Sequence, residues 1–423
     1  MKLASAHAPA HRPLIVVICM IVTVIEGYNL IVYGAAVPLL VTDSTLGVTS
    51  QQTGLIGGTV YLGAMVGALL APILSSMTRG KTTLVLGITV FGLGALAFAL
   101  SVNAPTLAAS RLVNGFGVGT ALATAMTIAR DNAPAERAAL VVTVTMAGVP
   151  LGGVAASLIA IPVLPALGWR ALFFIGAGLS LLVLFVVGRT PIPAADDGTA
   201  GRDWTGRRKL AALFSGGPKW IALLVATSVI LCMVAWQGLN VWATQAMVDL
   251  GFSLDAALVL TFALTGAAVA GSFLSAWAAD RLGSALVAIA TGACTVLGLA
   301  GILVLPTTFA VAAICVALMG IGGHSTMNLV HTTASGAFPV PARAAALGWS
   351  NGTSFIGAFA GPTLGGVVIA AGGSGALFGT FAVAAALCLV SVGGLFLVRR
   401  RLPGPGTASV PVDIGLLDSP HRT

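Results

Sequence analysis

Long apolar runs broken by short polar stretches recur from one end of the chain to the other. Each run exceeds the 18 or so residues needed to cross a ~30 Å hydrocarbon core as a helix. The breaks mark twelve spans, near 14–41, 51–73, 82–102, 105–129, 138–162 and 168–188, then 218–246, 254–278, 285–305, 308–336, 345–371 and 374–398. The first run, Leu14 to Val41, outlasts the ~7–15-residue apolar core of a cleaved signal, so it is expected to stay as the first membrane helix. The predicted fold is an all-α membrane protein of twelve helices. Residues 1–190 form one six-helix unit and 218–400 a second. A polar linker loop, 191–217, joins them, and a tail rich in Pro, Gly and Ser, 401–423, is expected to be disordered.

Composition agrees with that pattern. Of 423 residues, 57% are hydrophobic and 8% charged, against about 25% charged in a soluble domain. Charge placement adds orientation. Of the 20 Lys and Arg residues, 18 fall in the N-terminus, the loops after even-numbered spans or the C-terminal tail. Positive residues stay cytoplasmic, so both termini and the linker are expected there. The net charge of +8 then follows from topology. The basic residues are dispersed without interleaved aromatics, which argues against a nucleic-acid surface. The five cysteines all lie in apolar segments without metal spacing and read as small core residues.

The chain also repeats itself. GALLAPILSSMTRG at 67–80 aligns with GSFLSAWAADRLGS at 271–284, and Gly115, Gly117 and Pro134 align with Gly320, Gly322 and Pro339. Two six-helix halves that start on the same side are parallel repeats, an arrangement that places a transporter's substrate site near mid-membrane between the halves.

Few polar groups enter the spans, and those few cluster by helical spacing. Glu26 and Arg111 are the charged ones, and a charge at bilayer depth costs at least ~2.5–3.5 kcal/mol. Glu26, Asn29 and Tyr33 share one face of the first helix, which reads as a cavity wall with Glu26 carrying a proton, or else as a helix–helix hydrogen bond. Arg111 reads as a partner for Glu26, as an anchor for a substrate carboxylate, or as a snorkelling cation. His324, Asn328 and His331 share a face of the tenth span, and histidine can hold a carboxylate in either proton state. Gln237, Asn240 and Thr244, with Trp236 and Trp242 close by, suit a planar ligand with polar tips, and Asn351 and Ser354 on the eleventh span are similar. Two histidines without a third ligand make no metal site. GFGVG at 115–119 follows no strand, so it reads as close helix packing rather than a dinucleotide loop. No serine–histidine–acid set, P-loop or zinc spacing is present, and neither an enzymatic activity nor a cofactor is expected.

These motifs resemble those of the major facilitator superfamily. GSFLSAWAADRLGS looks like its G…DRxG signature, RLVNGFGVG at 111–119 like its fourth-helix motif, and AGVPLGG at 147–153 like the glycine–proline motif of its fifth helix. The resemblance covers roughly residues 14–400 and implies the two-repeat major facilitator fold. It also implies that Asp280 and Arg281 form a gating clamp. A narrower likeness, through EGYNLIVYGAAVPLL at 26–40, GVTSQQTGLIGGTVYLGAMVGALL at 47–70, GFSLDAALVLTFALTGA at 251–267 and GWSNGTSFIGAFAGPTLGG at 348–366, is to the aromatic acid:proton symporters. Here Glu26 and Asn29 stand where that group carries two aspartates, Phe355 where it commonly has an arginine, and Ser76–Met77 where the first-half signature has Asp–Arg.

The reading that joins these features is a secondary active transporter working by alternating access in the inner or plasma membrane. It would take up a small organic acid, aromatic by the narrower likeness, with protons. Glu26 would carry the proton, while Arg111 and His324 would help hold the anion. Proton-coupled efflux of lipophilic or cationic compounds is the alternative. A non-transporting membrane sensor, suggested by the eroded first-half signature, is the third reading. The expected partners are the small-molecule substrate, protons and the lipid bilayer.

Overall fold

In a computed structural model the described residues are 13–134, 137–192, 213–214, 218–339 and 342–401. Among them there are twelve helices and no strand. They are α1 Pro13–Thr42, α2 Ser50–Thr78, α3 Gly80–Ala99, α4 Ala104–Asp131, α5 Ala138–Met146, α6 Gly148–Leu167, α7 Trp169–Arg189, α8 Pro218–Asp249, α9 Leu254–Leu282, α10 Ser284–Val304, α11 Phe309–Gly336 and α12 Arg343–Arg401. The fifth span is the pair α5–α6, broken at Ala147. The last two spans are one run, α12, whose single non-helical residue is Gly373 (φ 68°). Twelve crossings result. Most of the linker and nearly all of the tail lie outside the described residues.

The crossings define two ends: a near end, where Pro13 and Arg401 lie, and a far end, where the chain turns after α1. At the far end, four helices begin on a polar cap. Thr49 and Gln52 cap each other's backbone at α2, Asn103 and Thr106 do the same at α4, and Ser253 and Thr308 accept from the first turns of α9 and α11. Such caps satisfy amide groups that a helix start leaves open, which matters most where lipid is close. Large side chains such as Leu69, Leu181, Phe273 and Val390 stand exposed around the bundle, the reverse of a water-soluble surface.

The internal repeat is realised in packing. A Cβ on Gly115 would lie 1.9 Å from the Val60 carbonyl oxygen, and one on Gly117 would lie 2.2 Å from the Phe91 nitrogen. Gly320 meets the Leu264 carbonyl at 2.1 Å, and Gly322 meets the Thr295 hydroxyl at 2.1 Å. In each half the fourth span is thus seated on the second and third through paired glycines, as expected for small-residue packing. One equivalence is broken. Where Gly283 turns the chain at φ 88°, the first half has Arg79 at φ 125°, a conformation that suits glycine.

The halves share one core at the far end and separate into two at the near end. Tyr33, Val60 and Phe98 of the first half pack with Leu239, Trp242 and Phe381 of the second. Toward the near end, Ile18, Leu84 and Val118 form one cluster, and Val225, Leu329 and Phe396 form another. Across the halves α1 packs on α8, α2 on α12 and α6 on α9; α4 and α5 do not pack on α11 or α12 among the described residues. The result is a clamp closed at the far end.

Candidate functional site

The apex of that clamp is built by backbones that touch. A Cβ on Gly34 would lie 1.8 Å from the Asn240 carbonyl oxygen, and Cβ atoms on Gly54 and Gly58 would lie 2.5 and 2.7 Å from the Pro362 and Phe359 carbonyl oxygens of α12. The single side-chain hydrogen bond between halves among the described residues is Ser157 to Thr265, 3.4 Å. Phe355 of α12 reaches across, packing on the first half's near-end core as well as on the shared one.

On the first-half side, Glu26 is 0% exposed, and neither carboxyl oxygen has a hydrogen-bond partner. Asn29 donates its Nδ2 to the Ile25 carbonyl at 2.9 Å and leaves its Oδ1 unpaired. Tyr33 donates its hydroxyl to the Thr53 carbonyl at 2.7 Å. The stripe of Glu26, Asn29 and Tyr33 therefore faces other helices of its own bundle. Arg111 lies among them, but it does not pair with Glu26. Its guanidinium donates to the Asn29 and Leu30 carbonyls at 2.9 and 3.3 Å and stands 4.9 Å from the Tyr33 ring centroid, while its Nε has no partner. The one ion pair among the described residues is Arg170–Asp43, at the far end.

On the second-half side, Asn240 donates Nδ2 to the Trp236 carbonyl at 2.8 Å; its Oδ1 and the Oε1 of half-buried Gln237 are unpaired. Half-buried His324 lies 6.0 Å, centroid to centroid, from the Trp236 ring. Thr244 shares a hydrogen bond with Thr261 at 2.9 Å. Gln237, Asn240 and His324 thus gather around Trp236, and this group meets the first-half group where α1 crosses α8.

The remaining candidates lie toward the near end. Asn328 is half-buried, His331 Nδ1 bonds the Ser350 hydroxyl at 2.7 Å, and exposed Asn351 donates to the Leu347 carbonyl at 3.1 Å. Asp280 and Arg281 are both exposed at the near rim. Arg281 stacks 4.2 Å from the Trp277 ring, and Asp280 makes no ion pair.

Three participants were not singled out from sequence. Thr23, one turn before Glu26, donates to the Thr145 carbonyl at 2.7 Å, beside the break between α5 and α6. Asn114, one turn after Arg111, donates to the Phe91 carbonyl and leaves its Oδ1 unpaired. Ser157 completes the bond between halves. Helical spacing from Glu26 and Arg111 would have found the first two; nothing in the sequence pairs Ser157 with Thr265.

Comparison with known proteins gives the same architecture a family. Residues 19–314 and 225–414 match the Major Facilitator Superfamily. The chain is 30% identical to a gentisate transporter of Corynebacterium glutamicum over 378 residues, covering 86% of this chain and 84% of that one. It is 26% identical to a 4-hydroxybenzoate transporter of Pseudomonas aeruginosa, covering 85% and 86%. In fold it is similar to a bacterial homolog of the human lysosomal transporter Spinster, with a TM-score of 0.76 at 15% identity over 93% of this chain and 98% of that one. The chain is a multi-pass, non-enzymatic transport protein and belongs to the Major Facilitator Superfamily.

Proposed function

We propose that the protein takes up an aromatic carboxylic acid together with protons, by alternating access, across a plasma membrane with both termini in the cytoplasm. The observation that carries the coupling is Glu26, fully buried in the first half with neither oxygen partnered. An unpaired charge there would cost several kcal/mol, which ties the carboxyl's proton to the state of the bundle around it. The gentisate and hydroxybenzoate relatives support the substrate class. Asn29, Tyr33 and Arg111 contribute the first-half share of the polar groups, and Gln237, Asn240, His324, Asn328 and Asn351 the second. Arg111 supplies the positive charge nearest the apex for the substrate carboxylate. Asp280 and Arg281 act as a clamp in the opposite state, which fits their lack of an ion-pair partner here.

Proteoliposomes test the coupling. For one proton per substrate, a gradient of one pH unit supports about tenfold accumulation. Glu26→Gln is expected to bring that ratio to about one while leaving substrate exchange in place. Undiminished gradient-driven accumulation by the variant would remove Glu26 from the mechanism. A second reading, efflux of a cation, is favoured by the unpaired acceptors: Asn29, Asn114, Gln237 and Asn240 each leave a buried oxygen without a donor.

A further inference from the structure

The amides of α8 select for a chemical group on the ligand. Asn240 uses its Nδ2 on the Trp236 carbonyl, and that bond fixes which end of the amide is which, so it is the oxygen that lacks a partner. Gln237, three residues earlier and on the same face, also holds its oxygen without a donor. Asn240 is 4% exposed, and its backbone carbonyl touches Gly34 of the other half. Two neighbouring donors of α8 are already engaged. Thr244 and Thr261 bond each other at 2.9 Å, and the Trp242 Nε1 bonds the Pro362 carbonyl at 2.9 Å.

Two buried acceptors call for a donor, because buried polar groups are nearly always paired. A carboxylate has no donor to give, whereas a ring hydroxyl has one. The Trp236 and His324 rings, 6.0 Å apart and inclined at 47°, supply aromatic surface nearby. We propose that Gln237 and Asn240 receive the ring hydroxyl of a hydroxylated aromatic acid. Phenolic acids, rather than unsubstituted arene carboxylates, are then the preferred ligands, with the carboxylate turned toward the first half. The proposal rests on the aromatic-acid reading above.

The test is calorimetric titration of the full chain in detergent with 4-hydroxybenzoate, benzoate and 4-methoxybenzoate, which share ring and charge and differ in the donor. The hydroxy acid is expected to bind about tenfold or more tighter than the other two. Gln237→Leu and Asn240→Leu should each pull that ratio toward one. Equal binding of all three by the unaltered chain overturns the proposal and leaves aromatic-acid transport standing, as does a ratio that survives in both variants. If none of the three binds, the aromatic-acid reading falls and the proposal with it. The comparison within the unaltered chain decides the matter even if a variant fails to fold.

Discussion

Asp43, just past the end of α1, accepts from the backbone and hydroxyl of Thr45 and from Trp169 Nε1 at 3.1 Å, and forms an ion pair with Arg170 at 3.6 Å. The Thr45 hydroxyl bond, with those of Trp169 and the Thr45 backbone and the Arg170 charge, holds its carboxyl below the usual range against the opposing effect of burial. A depressed carboxylate stabilises the fold above its unfolded value, near pH 4, and that contribution is lost as pH falls through the lower folded value. Asp43→Asn should therefore lower the melting temperature at neutral pH, and the gap to the unaltered chain should close in acid. A gap that stays constant down to pH 2 would mean the carboxylate is not the group responsible. Arg170 is 39% exposed, so the ion pair is screened and the hydrogen bonds carry most of the effect. At this scale, the sequence shows that Glu26 and Arg111 are unusual, but not whom they meet. Arg111 pairs with backbone carbonyls, and every residue has one, so no residue type marks the partner.

At the scale of elements, glycines decide how closely helices approach. Gly34 permits α1 to meet the Asn240 carbonyl, and an alanine there would place its Cβ at 1.8 Å, inside any van der Waals contact. Overpacking of this kind costs about 1–3 kcal/mol, which corresponds to a 5–150-fold shift between two states. Gly34→Ala should loosen the far end by that factor. A cysteine placed at Val241, 3% exposed, would then react with an impermeant maleimide faster than in the unaltered background. No change in labelling rate would show that the α1–α8 contact does not hold the far end shut. The spans themselves were legible, and so was the turn near 371–374, where Gly373 breaks α12. The break at Ala147 was not: AGVPLGG is apolar on both sides, so hydropathy runs through it unchanged.

At the scale of the molecule, one shared core and two separate ones describe a lever with its closed end far from the termini. Locking that end should stop transport. The Cβ that a residue at 58 would carry lies 2.7 Å from the Thr363 hydroxyl, which puts the pair within range of a disulfide. In Gly58→Cys/Thr363→Cys, oxidation is expected to abolish substrate exchange and reduction to restore it. Continued exchange by the oxidised protein would mean the halves need not part there. The twofold repeat was legible in the paired glycines and in the likeness of 67–80 to 271–284. Which end is shut was not, because both states use the same sequence.

The far-end turns carry a consequence for anyone handling the protein in cells. The longest is residues 43–49, and the others are shorter, down to the lone Gly373 between the last two crossings. A protease or an antibody needs several residues of yielding chain, and this face offers almost none. Sealed vesicles with the far face outward should pass through trypsin uncut, and an epitope tag inserted there would have to bring its own slack.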